Sequence, residues 1–248
     1  MSLRIAAIAS GTGSNVAAIQ GHIEAGRLDA RIVVILSNNP AAKVLEFGKS
    51  RGIPVWSTSH KGIEREAYDA LLVEQAKAHG ADTIVLAGYM RLVTPVLLRA
   101  YPGRVLNVHP ALLPSFPGVH GGADAINYGV RFSGITVHFV DEGVDTGPVI
   151  AQAITPVGQG DTEESLMQRL HSFEHVLYAQ ALRWLAQGRL AIDGRRVLLA
   201  APAGGQQSAG ALVMPGAQGH VLAQHELGTM GNNAAGPWVV SPPLDMPL

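Results

Sequence analysis

Short apolar runs alternate with helix-length amphipathic stretches along most of this chain, and that alternation is the feature that most restricts its fold. A short apolar run suits a strand that is buried on both faces, whereas apolar residues three or four positions apart suit a helix packed against a sheet. Strand and helix patterns in succession are typical of βα units around a largely parallel sheet. The sequence therefore predicts the α/β class, with one large core as the simpler arrangement.

Five strands and five helices are predicted from this pattern. The strands are Leu3 to Ala9, Arg31 to Ser37, Thr83 to Ala87, Arg104 to Val108 and Ile135 to Val140. Helices are predicted to begin near Asn15, Ala41, Arg65 and Thr94, and the longest is predicted to run from Thr162 to Gln187. The longest helix has capping chemistry at its start and a stop at Gly188. Together these elements predict a Rossmann-like, mostly parallel sheet flanked by helices.

The composition of the sequence changes after about residue 200. The 48 positions from Ala201 to Leu248 hold 8 Gly, 6 Pro and only two charged side chains, Glu226 and Asp245. A Gly/Pro-rich segment of this kind is poorly suited to a packed core, although its scattered apolar residues suit packing on a surface or in a subunit contact. We therefore expect a main domain over residues 1–192 and a C-terminal extension over residues 193–248 that is irregular or partly disordered.

The composition argues against several classes of partner. With 18 Lys and Arg against 19 Asp and Glu, the chain has no basic excess to neutralise a nucleic-acid backbone. The lack of cysteine excludes disulfides and cysteine-ligated metals, and it suits a cytoplasmic protein. No apolar stretch approaches the roughly 20 residues that span a bilayer. We therefore expect small-molecule substrates, no nucleic-acid or membrane partner, and a monomer or homodimer.

Residues Ser10 to Asn15 form a glycine-containing loop between the first predicted strand and the first predicted helix. Glycine lets the backbone approach an anion, and the free amides at a helix start can receive it, which favours a phosphate site. The dinucleotide fingerprint is incomplete, because Val16 stands at its third glycine position and the second strand ends at Ser37 without an acidic partner for a ribose. NAD is therefore disfavoured, and a tight turn without any ligand is the alternative.

Asn107, His109 and Asp145 are the strongest candidates for chemistry. Asn107 and His109 have the same parity on a predicted strand, so their side chains share one face before Pro110 ends the strand. An amide, an imidazole and a carboxylate brought together can hold a carbonyl oxygen and stabilise it as an oxyanion. This set suits acyl transfer without a serine or cysteine nucleophile. The alternatives are a structural histidine and an aspartate that only shapes a turn.

Four motifs occur in the order seen in the phosphoribosylglycinamide formyltransferase family, which the sequence resembles from about Leu3 to Leu190. They are Gly11-Thr12-Gly13-Ser14-Asn15, Gly88-Tyr89-Met90-Arg91-Leu92, Asn107-Val108-His109-Pro110-Ala111-Leu112-Leu113-Pro114 and Asp145-Thr146-Gly147-Pro148. The resemblance implies the formyltransferase fold, with residues 1–192 as the catalytic domain. It also implies a transferase of purine biosynthesis and one-carbon metabolism that uses 10-formyltetrahydrofolate as a folate co-substrate, without a metal.

The resemblance further implies which residues bind the substrates. It assigns the phosphate of glycinamide ribonucleotide to Gly13, Ser14 and Asn15, and its ribose to Glu174. It assigns the folate to Arg65, Met90, Arg91, Leu92, Val93 and Asn107. In this arrangement Asn107 donates a hydrogen bond to the formyl oxygen. His109, kept cationic by Asp145, stabilises the oxyanion and protonates the folate leaving group.

Several positions have plainer alternatives in the sequence. Core packing is the alternative for Met90 and Leu92, a solvated helix position for Arg65, and a surface carboxylate for Glu174. His138 suits either a supporting position beside the site or the core, and the sequence does not decide between them. The sequence argues against metal binding by His171 and His175, because it offers no evident third ligand.

The loop after Pro114 departs from the pattern of bacterial relatives, which often carry a lysine at position 115 and a histidine at position 122. This chain has Ser115 and Gly122 there, and Gly121-Gly122 favours a mobile loop, while the role of His120 stays open.

Three other functions compete with formyl transfer to glycinamide ribonucleotide. A folate-dependent formyl hydrolase usually has an additional N-terminal domain, whereas this chain starts directly at the first predicted strand. An initiator-tRNA formyltransferase usually adds a basic C-terminal domain, and residues 201–248 contain no Lys or Arg. A non-catalytic sensor of phosphorylated ligands would need only the glycine loop.

Overall fold

The computed structural model describes residues 2–201 and 239–241. The chain divides into two compact units, the first of residues 1–108 and 138–148 and the second of residues 109–137 and 149–248. The predicted domain boundary at residue 192 is not tested by this division and stays a prediction. Each unit is described in turn.

The described residues of the first unit form a parallel sheet of five strands with four helices. Its elements are β1 (Leu3–Ile8), α1 (Ser14–Glu24), β2 (Ala30–Ser37), α2 (Lys43–Ser50), β3 (Val55–Ser57), α3 (Arg65–Ala78), β4 (Thr83–Leu86), α4 (Pro95–Ala100) and β5 (Val105–His109), whose last residue belongs to the second unit. The strand order is β3-β2-β1-β4-β5, and all neighbouring strands are parallel. The predicted mostly parallel, Rossmann-like sheet is confirmed.

The central strand of this sheet shows why the sequence pattern identifies it. Residues 5–8 of β1 are fully buried, so both faces of the strand are covered. A strand covered on both faces has a continuous apolar run instead of an alternation. On one face, Tyr68 and Leu72 of α3 and Leu97 of α4 pack in the same core cluster as Ile8. Each fully buried leucine or isoleucine side chain contributes about 1.5–3 kcal/mol to folding.

The loops that follow β1 and β4 lie side by side at the carboxyl ends of these strands. The backbone N–H of Ser10 donates to the carbonyl oxygen of Gly88 at 3.1 Å, and that of Ala87 donates to Ile8 at 2.9 Å. Ligands of open parallel sheets bind outside the carboxyl ends of the strands. The fold therefore brings the glycine loop and the segment Gly88 to Val93 together at the edge where a ligand is expected.

The described residues of the second unit form a mixed sheet with two helices. Its elements are α5 (Gly121–Tyr128), β6 (Phe132–Phe139), whose last two residues belong to the first unit, β7 (Val149–Pro156), α6 (Glu163–Ala186), β8 (Leu190–Asp193), β9 (Arg196–Leu199) and β10 (Val239–Ser241). The strand order is β6-β7-β9-β8, and β10 pairs antiparallel with β7. Strands β8 and β9 form an antiparallel hairpin.

The longest helix, α6, agrees with its predicted bounds to within one residue at each end. Its apolar residues at spacings of three, four and seven are all buried: Leu166, Leu170, Phe173, Leu177 and Trp184. The Thr162 side chain accepts from the Ser165 backbone N–H, while the Ser165 side chain accepts from the Thr162 backbone N–H. This reciprocal cap satisfies two backbone donors at the helix start and fixes where the helix begins.

Two expectations from the sequence differ from the structure. Gly121 and Gly122 begin α5 and are buried, where a mobile loop was expected. A side chain at Gly122 would meet the Met167 sulfur, so this glycine allows close packing. Part of the C-terminal extension is also regular, because β9 and β10 are strands rich in Val and Leu, which favour strands. Residues 202–238 and 242–248 of the extension lie outside the described part of the chain.

The described helices include none with both the length and the apolar character that crossing a membrane requires.

Candidate active site

The glycine loop contains one position, directly before α1, that must be glycine. Gly13 has φ 77° and ψ 29°, a left-handed conformation that side chains disfavour, and an added Cβ would overlap Val44. Helix α1 begins at the next residue, and no side chain in the described part of the chain caps it. The first-turn amides of a helix have no intrahelical partner. The loop therefore presents backbone donors that suit an anion.

Asn15, in the first turn of α1, adds a buried polar side chain. The residue is only 7% exposed, and its Oδ1 atom makes no hydrogen bond within the described residues. A buried amide of this kind costs free energy unless something pairs with it. Ser14, by contrast, is exposed at the start of α1. Of the three residues assigned to the phosphate, Gly13 thus shapes the loop while Ser14 and Asn15 begin the helix.

The segment after β4 exposes large apolar side chains. Met90 is 68% exposed and Leu92 is 50% exposed, so core packing, the alternative for both residues, is wrong. Between them, Arg91 places its guanidinium carbon 4.9 Å from the centroid of the Tyr68 ring. Exposed apolar groups beside a cation offer a surface on which an aromatic, anionic ligand can lie. Val93 follows and is partly buried against the core cluster.

Asp69 anchors the end of this segment. Its Oδ2 accepts the backbone N–H of Thr94 at 2.5 Å, and the carboxyl group is buried. Burial raises the pKa of Asp69, while the hydrogen bond from Thr94 and the charges of Arg91 and Arg65 act in the opposite direction. Arg65 begins α3 and is exposed, which agrees with the alternative of a solvated helix position. Its charge nevertheless acts on Asp69, the group that accepts the Thr94 backbone N–H.

Asn107, His138 and Asp145 meet in the first unit. The Asn107 Nδ2 atom lies 3.3 Å from His138 Nε2 and 3.4 Å from Asp145 Oδ1. His138 Nε2 lies 3.6 Å from the same Asp145 oxygen. The structure thus brings together two of the three residues singled out for chemistry, and it adds a histidine that the sequence left undecided.

When the His138 ring is neutral, its hydrogen bonds determine which ring nitrogen carries the proton. Its Nδ1 atom lies 2.9 Å from the carbonyl oxygen of Phe139, which can only accept, so Nδ1 carries the proton. Nε2 is then an acceptor, and Asn107 donates to it. Both amide hydrogens of Asn107 therefore face acceptors, one on His138 and one on Asp145. This arrangement sets the orientation of the amide.

Asp145 has an unusual backbone in a well-fixed loop. Its φ of 52° lies in the left-handed region, which aspartate tolerates better than most residues. The Asp141 carboxylate accepts from the Thr146 hydroxyl at 2.6 Å and from the Gly143 backbone N–H at 3.1 Å. Backbone strain that the surroundings maintain is characteristic of functional positions. The loop thus holds a carboxylate in a defined place.

His109, the last residue of β5, is described with the second unit. It is only 4% exposed, and its Nε2 atom lies 2.8 Å from the carbonyl oxygen of Phe116. Because a carbonyl oxygen only accepts, Nε2 carries a proton. An added Cβ at Gly121 would lie 3.3 Å from this nitrogen, so Gly121 leaves room for the imidazole. His120, by contrast, is exposed at the start of α5.

Glu174 is buried on α6, so the surface-carboxylate alternative is wrong. Its Oε2 atom lies 3.8 Å from His171 Nε2 one turn earlier. A buried carboxylate is rare without partners and points to a specific use. Within the described residues, no group of three or more histidine, aspartate and glutamate side chains is arranged to hold a metal ion.

Sequence reasoning left His138 undecided because its importance depends on its neighbours. Asn107 and Asp145 are far from it along the chain, and only the folded unit brings the three together. The available signal is a histidine between Val137 and Phe139 in a predicted strand, since a buried polar side chain usually has a partner.

Comparisons with known proteins identify the family of this chain. Residues 3–182 match the profile of the formyl transferase family. The chain is 41% identical over 183 residues to phosphoribosylglycinamide formyltransferase from Bacillus subtilis, a match that covers 73% of this chain and 94% of that protein.

Solved structures show the same relationship. The crystal structure of glycinamide ribonucleotide transformylase 1 from Symbiobacterium toebii matches with a TM-score of 0.79 and 44% identity, covering 80% of this chain and 94% of that one. A formyltetrahydrofolate deformylase from Pseudomonas syringae pv. tomato matches with a TM-score of 0.76 and 27% identity, covering 81% of this chain and 67% of that one. The chain belongs to the formyl transferase family, among the phosphoribosylglycinamide formyltransferases.

Proposed function

We propose that the protein transfers the formyl group of 10-formyltetrahydrofolate to the amine of 5-phosphoribosylglycinamide, a step of de novo purine biosynthesis. The products are N-formylglycinamide ribonucleotide and tetrahydrofolate. The observation that carries this proposal is the contact of the Asn107 amide with Asp145 and His138 at the end of β5, in a chain of this family.

The reaction proceeds by direct attack. The neutral amine adds to the formyl carbon and forms a tetrahedral intermediate, and the bond from that carbon to N10 of the folate then breaks. Asn107 donates a hydrogen bond to the formyl oxygen, and His109 stabilises the oxyanion and donates a proton to the folate nitrogen. Asp145 accepts the proton of the attacking amine through water. No covalent enzyme intermediate is formed, in keeping with a chain that has no cysteine.

The hydrogen bonds that Asn107 and His109 make in this structure must rearrange when the substrates bind. Asn107 directs one amide hydrogen to His138 and the other to Asp145. One of these two hydrogen bonds must therefore break before the amide can donate to the formyl oxygen. Likewise, His109 Nε2 donates to the Phe116 carbonyl and must leave it to protonate a substrate atom. Hydrogen bonds that reorganise on binding are common in unliganded catalytic sites.

The proposal places the substrates on the two loops and on α6. The phosphate binds at Gly13, Ser14 and Asn15, and Glu174 holds the ribose. The folate lies on Met90, Arg91, Leu92 and Val93, and the charges of Arg91 and Arg65 attract its carboxylates. Exposure of Met90 and Leu92 supports these assignments, as does the Asn15 amide oxygen, which has no hydrogen-bond partner among the described residues.

A single assay tests the function. The protein is incubated with 10-formyltetrahydrofolate, with and without glycinamide ribonucleotide, while folate release and formate are followed. Release that depends on the amine supports transfer. Formate production without the amine would instead support a hydrolase, the activity named for the deformylase relative. Release under neither condition would favour the sensor alternative.

The catalytic assignment is tested in the same assay with Asn107→Ala and His109→Ala. Loss of an oxyanion donor raises the barrier by about 2.7–4 kcal/mol, so each variant should turn over about 10²- to 10³-fold more slowly. Asn127→Ala, an exposed asparagine on α5, is the matched control and should retain the wild-type rate. Near-normal single-turnover rates in folded His109→Ala would refute its assigned role.

The other expectations remain predictions: a cytoplasmic protein, active as a monomer or homodimer without nucleic acid or metal, whose catalytic domain covers residues 1–192.

A further inference from the structure

The hydroxyl group of Ser10 connects the two loops to which the substrates are assigned. Ser10 is the first residue of the glycine loop, and its Oγ atom accepts the backbone N–H of Met90 at 3.1 Å. The same Oγ lies 2.7 Å from Asn38 Oδ1. One small side chain is therefore hydrogen-bonded to the backbone of residues 90–93, here called the folate segment, while its own backbone belongs to the glycine loop.

The direction of each hydrogen bond is fixed. A backbone N–H can only donate, so Ser10 Oγ accepts from Met90 and its single hydrogen remains for Asn38 Oδ1. Asn38 is buried, and its Nδ2 atom lies 3.2 Å from His60 Nδ1. The amide that receives the serine hydrogen is thus held from its other end. The hydroxyl consequently has one favourable orientation.

The backbone of Ser10 is tied at both sides as well. Its N–H donates to the Gly88 carbonyl oxygen at 3.1 Å, and its carbonyl oxygen accepts from Asn39 Nδ2 at 3.3 Å. Displacement of the glycine loop therefore moves Ser10, and with it the Met90 amide. Because Met90 and Leu92 are exposed, few packing contacts hold this part of the folate segment, which makes the hydrogen bond from Met90 an important restraint.

We propose that Ser10 is a positioning residue that couples the two substrate loops, so that occupancy of either loop by its substrate strengthens binding at the other. This inference rests on the proposed function, because it takes the phosphate at Gly13 to Asn15 and the folate at Met90 to Val93. A substrate that orders one loop lowers the ordering cost that the second substrate meets at the other. The coupling is reciprocal, since each substrate must change the affinity of the other by the same factor.

The experiment compares two variants of nearly equal shape. Ser10→Thr keeps a hydroxyl, whereas Ser10→Val replaces it with a methyl group and loses both side-chain hydrogen bonds. Calorimetry measures the Kd of tetrahydrofolate, which has no formyl group to transfer, with and without glycinamide ribonucleotide, and then the reverse pair. In the wild type and in Ser10→Thr we expect each ligand to tighten the other by about five-fold or more. In Ser10→Val the factor should fall to about one.

The coupling factor separates this inference from a purely structural effect. Lower stability of Ser10→Val would lower its Tm or weaken both affinities, yet it would leave their mutual factor unchanged. Ser10→Ala provides the same measurement if Ser10→Val does not fold. A wild type that binds both ligands without coupling, or a valine variant that keeps the wild-type factor, overturns the inference while the proposed function stands. A wild type that binds neither ligand overturns both.

Discussion

Asp145 combines a carboxylate with a backbone conformation that few side chains tolerate. Asparagine accepts a left-handed backbone about as well as aspartate and has the same shape, so Asp145→Asn removes the charge while the loop keeps its course. Loss of the proton acceptor should lower kcat by about 10²- to 10⁴-fold, because proton transfer by a positioned side chain contributes that much. Steady-state kinetics at saturating substrates measures the effect.

A comparison with Asp145→Ala separates charge from conformation. Alanine removes the charge and also disfavours the positive φ, so it should lower Tm as well as kcat, whereas Asp145→Asn should lower kcat alone. If Asp145→Asn turns over at the wild-type rate, the carboxylate has no part in proton transfer and the assignment is wrong.

His138 is expected to act through Asn107. Its Nε2 atom receives one amide hydrogen of Asn107 at 3.3 Å, and its Nδ1 is fixed by the Phe139 carbonyl. His138→Phe keeps a ring but removes the acceptor, so the Asn107 amide loses its orientation. A small misplacement of a catalytic group can cost up to about 10²-fold, and we expect a fall in kcat of about 10- to 100-fold.

His138→Gln is the matched variant because its amide oxygen can accept from Asn107. It should recover part of the lost kcat, and KM for both substrates should change little in either variant. Equal rates for His138→Phe and the wild type would show that this histidine does not orient the amide.

At the scale of secondary-structure elements, the start of α6 carries an ion pair with a pH-dependent contribution. Arg169 Nη2 lies 2.6 Å from Asp161 Oδ2, and this interaction, the largest cause, holds the pKa of Asp161 well below its ordinary value of 3.8. A carboxyl group with a lowered folded-state pKa stabilises the fold above its unfolded pKa, and the contribution is lost as the pH falls toward the folded value.

Urea unfolding of the wild type and Asp161→Asn at several pH values measures this contribution. The difference in unfolding free energy should be constant from about pH 5 to pH 8 and should shrink below about pH 4. In an Arg169→Gln background the same substitution should have a much smaller effect, because the main partner is gone. A difference that does not change with pH would show that the charge of Asp161 does not contribute.

The elements that the sequence predicts are those with a clear pattern of apolar residues. Strand β1 has a continuous apolar run because neighbouring elements bury it. Helix α6 has apolar residues on the turns from Leu166 to Trp184 because that face of the helix is buried. The sequence does not predict helix α5 because Gly121 and Gly122 are poor helix formers, although their lack of a side chain allows close packing here. Strand β3 has only three residues, too few for any pattern.

The site was predictable to a similar extent. Parity along β5 puts Asn107 and His109 on one face, because strand geometry alone decides this. The burial of Glu174 and the place of His138 depend on the residues that surround them in the folded units. Local sequence does not specify such neighbours, and this is why the sequence leaves a plainer alternative open for both residues.

At the scale of the whole molecule, the proposed substrate contacts end well before the C-terminus. The last residue with an assigned substrate role is Glu174 on α6, whereas β10 lies beyond residue 238 and pairs with β7. Three backbone pairs join them, Val239 to Ile154, Val240 to Ala153 and Ser241 to Gln152. The C-terminal segment therefore contributes to the sheet of the second unit without carrying a residue assigned to chemistry.

Truncation after Ala201 should consequently reduce stability more than activity. Removal of β10 exposes the backbone groups of β7 from Gln152 to Ile154, and an unpaired strand edge favours aggregation. We expect a lower Tm and some association on size-exclusion chromatography, with a turnover number per folded protein within about two-fold of the full chain because no assigned contact is lost.

Val240→Pro in the full chain tests whether strand pairing is the cause. Proline has no backbone N–H and is poorly tolerated inside a paired strand, so this variant should reproduce the lower Tm while all residues remain present. If truncation abolishes turnover in protein that is folded and monomeric, a residue beyond 201 takes part in substrate binding, and the assignment of all contacts to residues up to Glu174 is wrong. A Tm that stays at the wild-type value in both variants would instead show that β10 adds nothing to the stability of β7.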